Sequence, residues 1–174
     1  MEIRLRALEP EDIDSIYRWE NDPDVWQHSA SHTPFSRHLL TEYIMSQNGA
    51  DIYALRQLRL VCDVSADPLH NSWQPAGTVD LYDFDPYHMR AGVGIMVDSA
   101  LRRRGIGLAM LRQLIAFVRD NIRLHQLYCE IEESNEASLR LFEKAGFVQC
   151  GRRTQWYSTT RGREDCIEMQ LLIL

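Results

Sequence analysis

The amino-acid sequence predicts an α/β (α+β) fold: a single domain in which a mixed, mostly antiparallel sheet is flanked by helices. Three observations predict it. Apolar–polar alternation of strand period recurs along the chain, with turn residues between the segments. Beyond residue 100 the period changes to that of two helices separated by one short strand. No repeat, low-complexity tract or linker divides the 174 residues, which suffice for one domain with a substantial core.

The elements follow in order. Glu2 to Ala7 alternates as a strand. Pro10, Glu11 and Asp12 open a helix with Ile13, Ile16 and Tyr17 on one face, and Asn21-Asp22-Pro23 closes it. Asp24 to Phe35 has no clean period, whereas Ser36 caps a short helix to about Ser46. Asp51 to Val64 reads as one strand, Ser65 to Ala76 as a polar hairpin loop, and Gly77 to Phe84 as the returning strand. After the turn Asp85-Pro86-Tyr87-His88 a further strand runs from Ala91 to Val97, and this meander favours antiparallel pairing. Leu108, Leu111, Ile115 and Val118 then mark an amphipathic helix over about Gly105 to Arg123, with Arg112, Arg119 and Asp120 facing water. Leu127 to Ile131 is a short strand, Asn135 to Ala145 a helix closed by Gly146, and Val148 to Tyr157 with Cys166 to Leu174 a final hairpin.

Composition narrows the function classes. The chain is 45% hydrophobic and 25% charged, as expected of a folded domain, and no apolar run reaches the roughly 18 to 20 residues of a membrane helix. The opening MEIRLRALEP places charges through its first ten residues and lacks the apolar core of a signal peptide, so a cytoplasmic protein is expected. Lys plus Arg number 19 against 25 Asp plus Glu, for a net charge of -6, which argues against nucleic acid and favours a cationic substrate. Cys62, Cys129, Cys150 and Cys166 form no C-x-x-C pair and the six His show no metal spacing. No metal is expected, and each cysteine reads as a small buried hydrophobe in or beside a strand.

The chemistry-bearing stretch is LRRRGIGLAM, residues 101–110. A strand ending at Val97 passes into a helix start, where unpaired backbone N–H groups and the helix dipole form a site for an anion. Gly105 and Gly107 permit close approach, and Arg102, Arg103 and Arg104 add positive potential. The motif is no P-loop, because Leu108 and Ala109 follow Gly107 where Lys and Ser/Thr are needed. It is no dinucleotide fingerprint either, because Met110 occupies the third glycine's place. R-x-x-G-x-G remains: Arg102, Gly105, Gly107.

Together with SNEASLRLFEKAGF, residues 134–147, this turn resembles the GNAT superfamily of acyl-CoA N-acetyltransferases. The order of elements resembles that family over almost the whole chain, and the specific part is Ala91 to Phe147. The start, LRALEPEDIDSIYRWENDPDVW, is similar to the branch containing ribosomal-protein N-terminal acetyltransferases and spermidine acetyltransferases. The resemblance implies that the turn Arg102 to Gly107, including Ile106, holds the pyrophosphate of coenzyme A. It implies that Asn135 contacts the pantetheine arm, and that the arm lies between splayed parallel fourth and fifth strands, against Ile95, Met96 and Val97. Phe142 stands at the cofactor-side position where the family usually places a Tyr as thiolate acid, and a phenyl ring cannot donate a proton. Phe142 is then a packing residue, with Tyr128, Tyr157 or water as the acid.

The reaction implied is direct transfer of acetyl from acetyl-CoA to a primary amine in a ternary complex, which requires proximity, a proton acceptor and oxyanion stabilisation. For the base, Glu130 precedes Asn135 by five, where some ribosomal N-terminal acetyltransferases carry a glutamate, and Tyr128, Glu130 and Glu132 share one strand face. Asp80 is a second candidate, as a base or as a selector of cationic substrate. Trp26, His28 and Phe35, in the unpatterned loop, are acceptor-site candidates; Tyr17 and Trp19 read as core. Arg152-Arg153 and Arg161-Gly162-Arg163 read as a solvated final hairpin. A polyamine is the first acceptor expected and a protein N-terminus the second. A non-catalytic acyl-CoA-binding domain is the third reading, and a homodimer is common among similar proteins.

Overall fold

Alternation at Ile3 and Leu5 makes the first strand, β1 (Glu2–Ala7), and the acidic start after Pro10 makes a 3-10 turn that runs into α1 (Ile13–Glu20). A computed structural model describes residues 1–26, 33–67, 72–159 and 162–173, with the side chains of residues 24 and 26 excepted. α2 (Pro23–Trp26) is a single turn, and α3 (Arg37–Asn48) starts at Ser36, whose hydroxyl accepts the Leu39 N–H at 3.1 Å.

The expected strand from Asp51 begins instead as a helical turn, α4 (Ile52–Leu55). The Asp51 carboxylate accepts the N–H groups of Tyr53 and Ala54, both at 3.0 Å, and Arg56 at φ 59° ends the turn. β2 (Leu58–Ser65) then pairs antiparallel with both β1 and β3 (Gln74–Asp85), which starts earlier than the alternation from Gly77 suggested. β4 (Arg90–Val97) completes the meander. After the Gly-x-Gly turn come α5 (Ile106–Phe117), a π-helical turn (Val118–Ile122), β5 (Gln126–Glu132) and α6 (Glu136–Lys144). The chain closes with the hairpin β6 (Val148–Thr159) and β7 (Gly162–Leu172).

The seven strands form one sheet in the order β1-β2-β3-β4-β5-β7-β6, and β4–β5 is its parallel pair. One face packs on α5 and α6: Val79, Leu81, Val93, Leu127, Cys129 and Met169 share a buried cluster with Met110, Leu111, Leu114 and Phe142. The other face is covered over β1 to β3 by α1 and α3, through Leu8, Ile16, Trp19, Leu40, Ile44 and Val61. Three cysteines are buried, as expected, but Cys150 is exposed on the edge strand β6, where an out-of-register step turns it outwards.

Candidate active site

The parallel pair creates the site. β4 and β5 are paired only from Arg90, Ala91 and Gly92 to Gln126, Leu127 and Tyr128. Beyond that rung β3 holds β4 as far as Val97, while β7 holds β5 as far as Glu132, so the two strands part. The backbone of Ile95, Met96 and Val97 therefore borders an opening, and these residues are partly exposed. At about 3.3 Å per residue, the open edge from Gly92 to Val97 is roughly 17 Å long.

The opening leads to the Gly-x-Gly turn. Gly105 is the N-cap of α5 with φ 79° and gives the helix no side-chain cap, so the N–H groups of the first turn lack intrahelical partners. Arg102, Arg103, Arg104 and Gly105 are exposed around this point. Arg102 Nε donates to the Val97 carbonyl at 3.1 Å, which closes the turn on the end of β4. The two glycines serve different ends. A Cβ at Gly105 would meet open space, and its need is the left-handed backbone; a Cβ at Gly107 would press on Leu141 Cδ2 at 3.2 Å, so Gly107 lets α5 and α6 approach.

Asn135 caps α6: its Oδ1 accepts the Ser138 N–H at 3.1 Å, which leaves the amide donors directed elsewhere. The Phe142 ring is 3% exposed and edge-on to Phe147, with centroids 5.0 Å apart. It is a packing residue with almost no surface to give a cofactor.

On the face away from α5, alternation brings Tyr82, Tyr128, Glu130 and Glu168 together across β3, β5 and β7. Tyr128 stands at the last rung before the strands part, with the Tyr82 ring edge-on at 6.0 Å, and Gly92 leaves room for that ring. Burial, then Asp83 and Glu130, push the Tyr128 hydroxyl above its ordinary range; burial, Cys166 and Glu130 do the same for Tyr157. Both phenols keep their protons at neutral pH. Tyr157 donates to Cys166 Sγ at 3.6 Å, whereas Tyr128 borders the opening.

Glu130 is exposed beside the opening, and Arg153 Nη1 reaches its Oε1 at 3.0 Å. Asp80 is engaged otherwise: Arg59 grips both its oxygens, at 2.8 and 2.9 Å, and also reaches Glu20 at 2.6 Å. Despite its burial Arg59 is held charged by Asp80, and both oxygens of that carboxylate are engaged in this ion pair. Phe35 is partly buried on the α1–α3 cluster, its backbone bonded to the Asn21 side chain. Trp26 ends α2, and its side chain, like His28 as a whole, lies outside the described residues.

Two features escaped the sequence. Asp98, after β4, accepts from Trp19 Nε1 at 2.9 Å and Arg18 Nη2 at 2.7 Å, which ties α1 to the start of the Gly-x-Gly turn. Arg153 was expected on a solvated hairpin; instead it joins Glu130 to Glu168. Among the described residues no cluster of His, Cys, Asp or Glu is arranged to hold a metal ion, and no described helix is long and apolar enough to cross a membrane.

Comparison with known proteins decides the family. Residues 2–148 match the family described as acetyltransferase (GNAT) domain. The chain belongs to this family. It is 39% identical over 79 residues to the ribosomal protein bS18-alanine N-acetyltransferase of Escherichia coli K12, a match covering 45% of this chain and 53% of that protein. The chain thus spans about half the length of the bS18-alanine acetyltransferases that it matches. It is 21% identical over 145 residues to the spermidine N(1)-acetyltransferase of the same strain, across 83% of this chain and 72% of that protein. Its fold superposes on the Vibrio cholerae spermidine N-acetyltransferase solved with CoA and spermine, with a TM-score of 0.86, 20% identity and coverage of 98% and 95%.

Proposed function

We propose that the protein is an acetyl-CoA-dependent N-acetyltransferase that transfers acetyl directly to a primary amine, with a polyamine as acceptor. The observation that carries this reading is the continuity of the opening between β4 and β5 with the uncapped N-terminus of α5. Bound acetyl-CoA would supply the acyl thioester. The N–H groups of Gly105, Ile106 and Gly107, with Arg102, Arg103 and Arg104 around them, would hold its diphosphate. The free edge of Ile95, Met96 and Val97 and the amide of Asn135 would hold its pantetheine arm. An arm laid from the turn along β4 ends at the last paired rung, beside Tyr128.

Glu130 is the proton acceptor for the acceptor's ammonium, and Tyr128, still protonated at neutral pH, is the donor to the leaving thiolate. The acidic chain and the Glu130–Glu168 pair support a cationic acceptor. The likeness to the bS18-alanine acetyltransferase supports a protein N-terminus as the second reading. A homo-oligomer goes with this reading, since a spermidine N-acetyltransferase of Vibrio cholerae is dodecameric, as does a cytoplasmic location, where unpaired cysteines stay reduced.

Mass spectrometry of one reaction containing acetyl-CoA, spermidine, spermine and peptides with free N-termini tests it. Enzyme-dependent acetylated spermidine or spermine is expected. Acetylated peptide alone selects the second reading. No acetylated amine, from protein shown to bind acetyl-CoA, favours a non-catalytic binding domain.

A further inference from the structure

Glu130 on β5 and Glu168 on β7 are direct cross-strand partners. Like charges in that register repel, so the fold must set a cation between them or lose stability. Arg153 is that cation: Nη1 lies 3.0 Å from Glu130, and Nη2 bonds Glu168. Its guanidinium carbon lies 4.7 Å from the centre of the exposed Trp156 ring. Two further features build the arrangement. Gly151, opposite Glu168, is bare because a Cβ there would run into the Glu168 carboxylate. The pairing of β6 with β7 slips between Arg153 and Tyr157, with Gln155 at φ 53°, and this irregular stretch carries Trp156 over the guanidinium.

Two carboxylates and an aromatic face are the groups that bind an alkylammonium. Here the protein's own arginine fills that place, next to the proposed base. Two negative charges and one positive leave the group at -1. We propose that Arg153 is a specificity-determining residue of the acceptor site, an internal stand-in for the acceptor's cation whose competition for Glu130 and Glu168 sets how tightly a polycationic amine is held. This rests on the reading of the opening as an amine acetyltransferase site.

The test is calorimetric titration of spermidine into the whole chain saturated with CoA, in wild type, R153K, R153Q, E168Q and R153Q/E168Q, each shown folded by thermal unfolding. R153Q is expected to bind spermidine tighter, on the order of fivefold to tenfold at low salt, with the gain shrinking near 0.5 M salt. R153K keeps the charge and stays near wild type. Should the two glutamates repel enough to unfold R153Q, the same comparison is made between E168Q and R153Q/E168Q, where the double variant is expected to bind several-fold tighter. Unchanged or weaker binding on removal of Arg153, including no binding in either member of the pair, overturns the proposal. Acetylation of spermidine is assayed separately on wild type. Tighter binding on loss of Arg153 without acetylation of any amine retains the cation competition and rejects the enzymatic reading.

Discussion

Glu130 carries the sharpest prediction at the scale of a residue. It faces solvent beside the opening, whereas Asp80 has both oxygens clasped by Arg59. Glu130→Gln keeps the side chain's shape and removes its proton affinity. Its kcat at neutral pH should fall on the order of 100-fold with the Kd for acetyl-CoA unchanged, as general-base catalysis contributes at that scale. Initial rates across pH together with calorimetry check both halves; an unchanged pH–rate profile excludes Glu130 as base. The Gly-x-Gly turn, proposed to hold the diphosphate, calls for a different substitution. At Gly107 a new side chain would strike Leu141 and disturb the contact of α5 with α6, confounding charge with packing. Gly105 is open and left-handed, a conformation Asp and Asn tolerate similarly. Gly105→Asp should weaken coenzyme A binding at least about tenfold relative to Gly105→Asn, since the two differ chiefly in a charge set against the diphosphate. Equal affinities for the pair, read by calorimetry, would place the diphosphate elsewhere.

Elements divide into those whose cause is local and those whose cause is distant. The Ser36 cap, the amphipathic α5 and the glycine-closed α6 were legible because their signals lie within one turn of the element. The splay of β4 from β5 was legible only through the resemblance, since no period encodes which rungs go unpaired. α4 was missed because Asp51 turns four residues into a helix before the strand pattern takes over. The side-chain ties were invisible for a similar reason: Glu168 meets Glu130, and Arg153 both, only once the register of β5, β7 and β6 is fixed. Asp98 and Trp19 lie 79 positions apart in sequence, yet their bond joins α1 to the end of β4. Asp98→Ala would strand the N–H of Trp19, which is 4% exposed, so a loss of about 1–3 kcal/mol is expected in urea denaturation. Coenzyme A should also bind more weakly, because Asp98 caps the turn through the Ala100 N–H at 3.0 Å. Unaltered stability would mean that α1 is held by its apolar face alone.

For the whole molecule, carboxylates decide how the fold meets acid. Asp12 and Asp63 are buried between β1, β2 and the start of α1, with Arg6 bridging them and Arg4 reaching Asp63. Burial alone would raise the Asp12 carboxyl, but its bonds from Arg6 and from the Glu9 N–H outweigh it and hold the group below the ordinary 3.8. Asp98 is displaced the same way: burial opposes, and Trp19, the Ala100 N–H and Arg18 prevail. A depressed folded value fixes the sign. Above about pH 4 the unfolded chain has these groups ionised too, and their stabilisation is fully present; as the pH falls through the folded values the native state must bind the same protons and the stabilisation disappears. Denaturation midpoints in urea should therefore hold level from pH 7 to about 5 with respect to these groups and drop as the pH falls below about 4. Asp12→Asn should lower the midpoint at pH 7, by leaving the Arg6 guanidinium short of a charged partner, and should show a shallower drop below pH 4 because one contributor is already gone. A variant whose acid limb is as steep as wild type would show that Asp12 is not the carboxylate through which this fold senses acid, and would assign the limb to the other depressed carboxylates, Asp98 at the end of β4 among Asp85, Asp120 and Asp165.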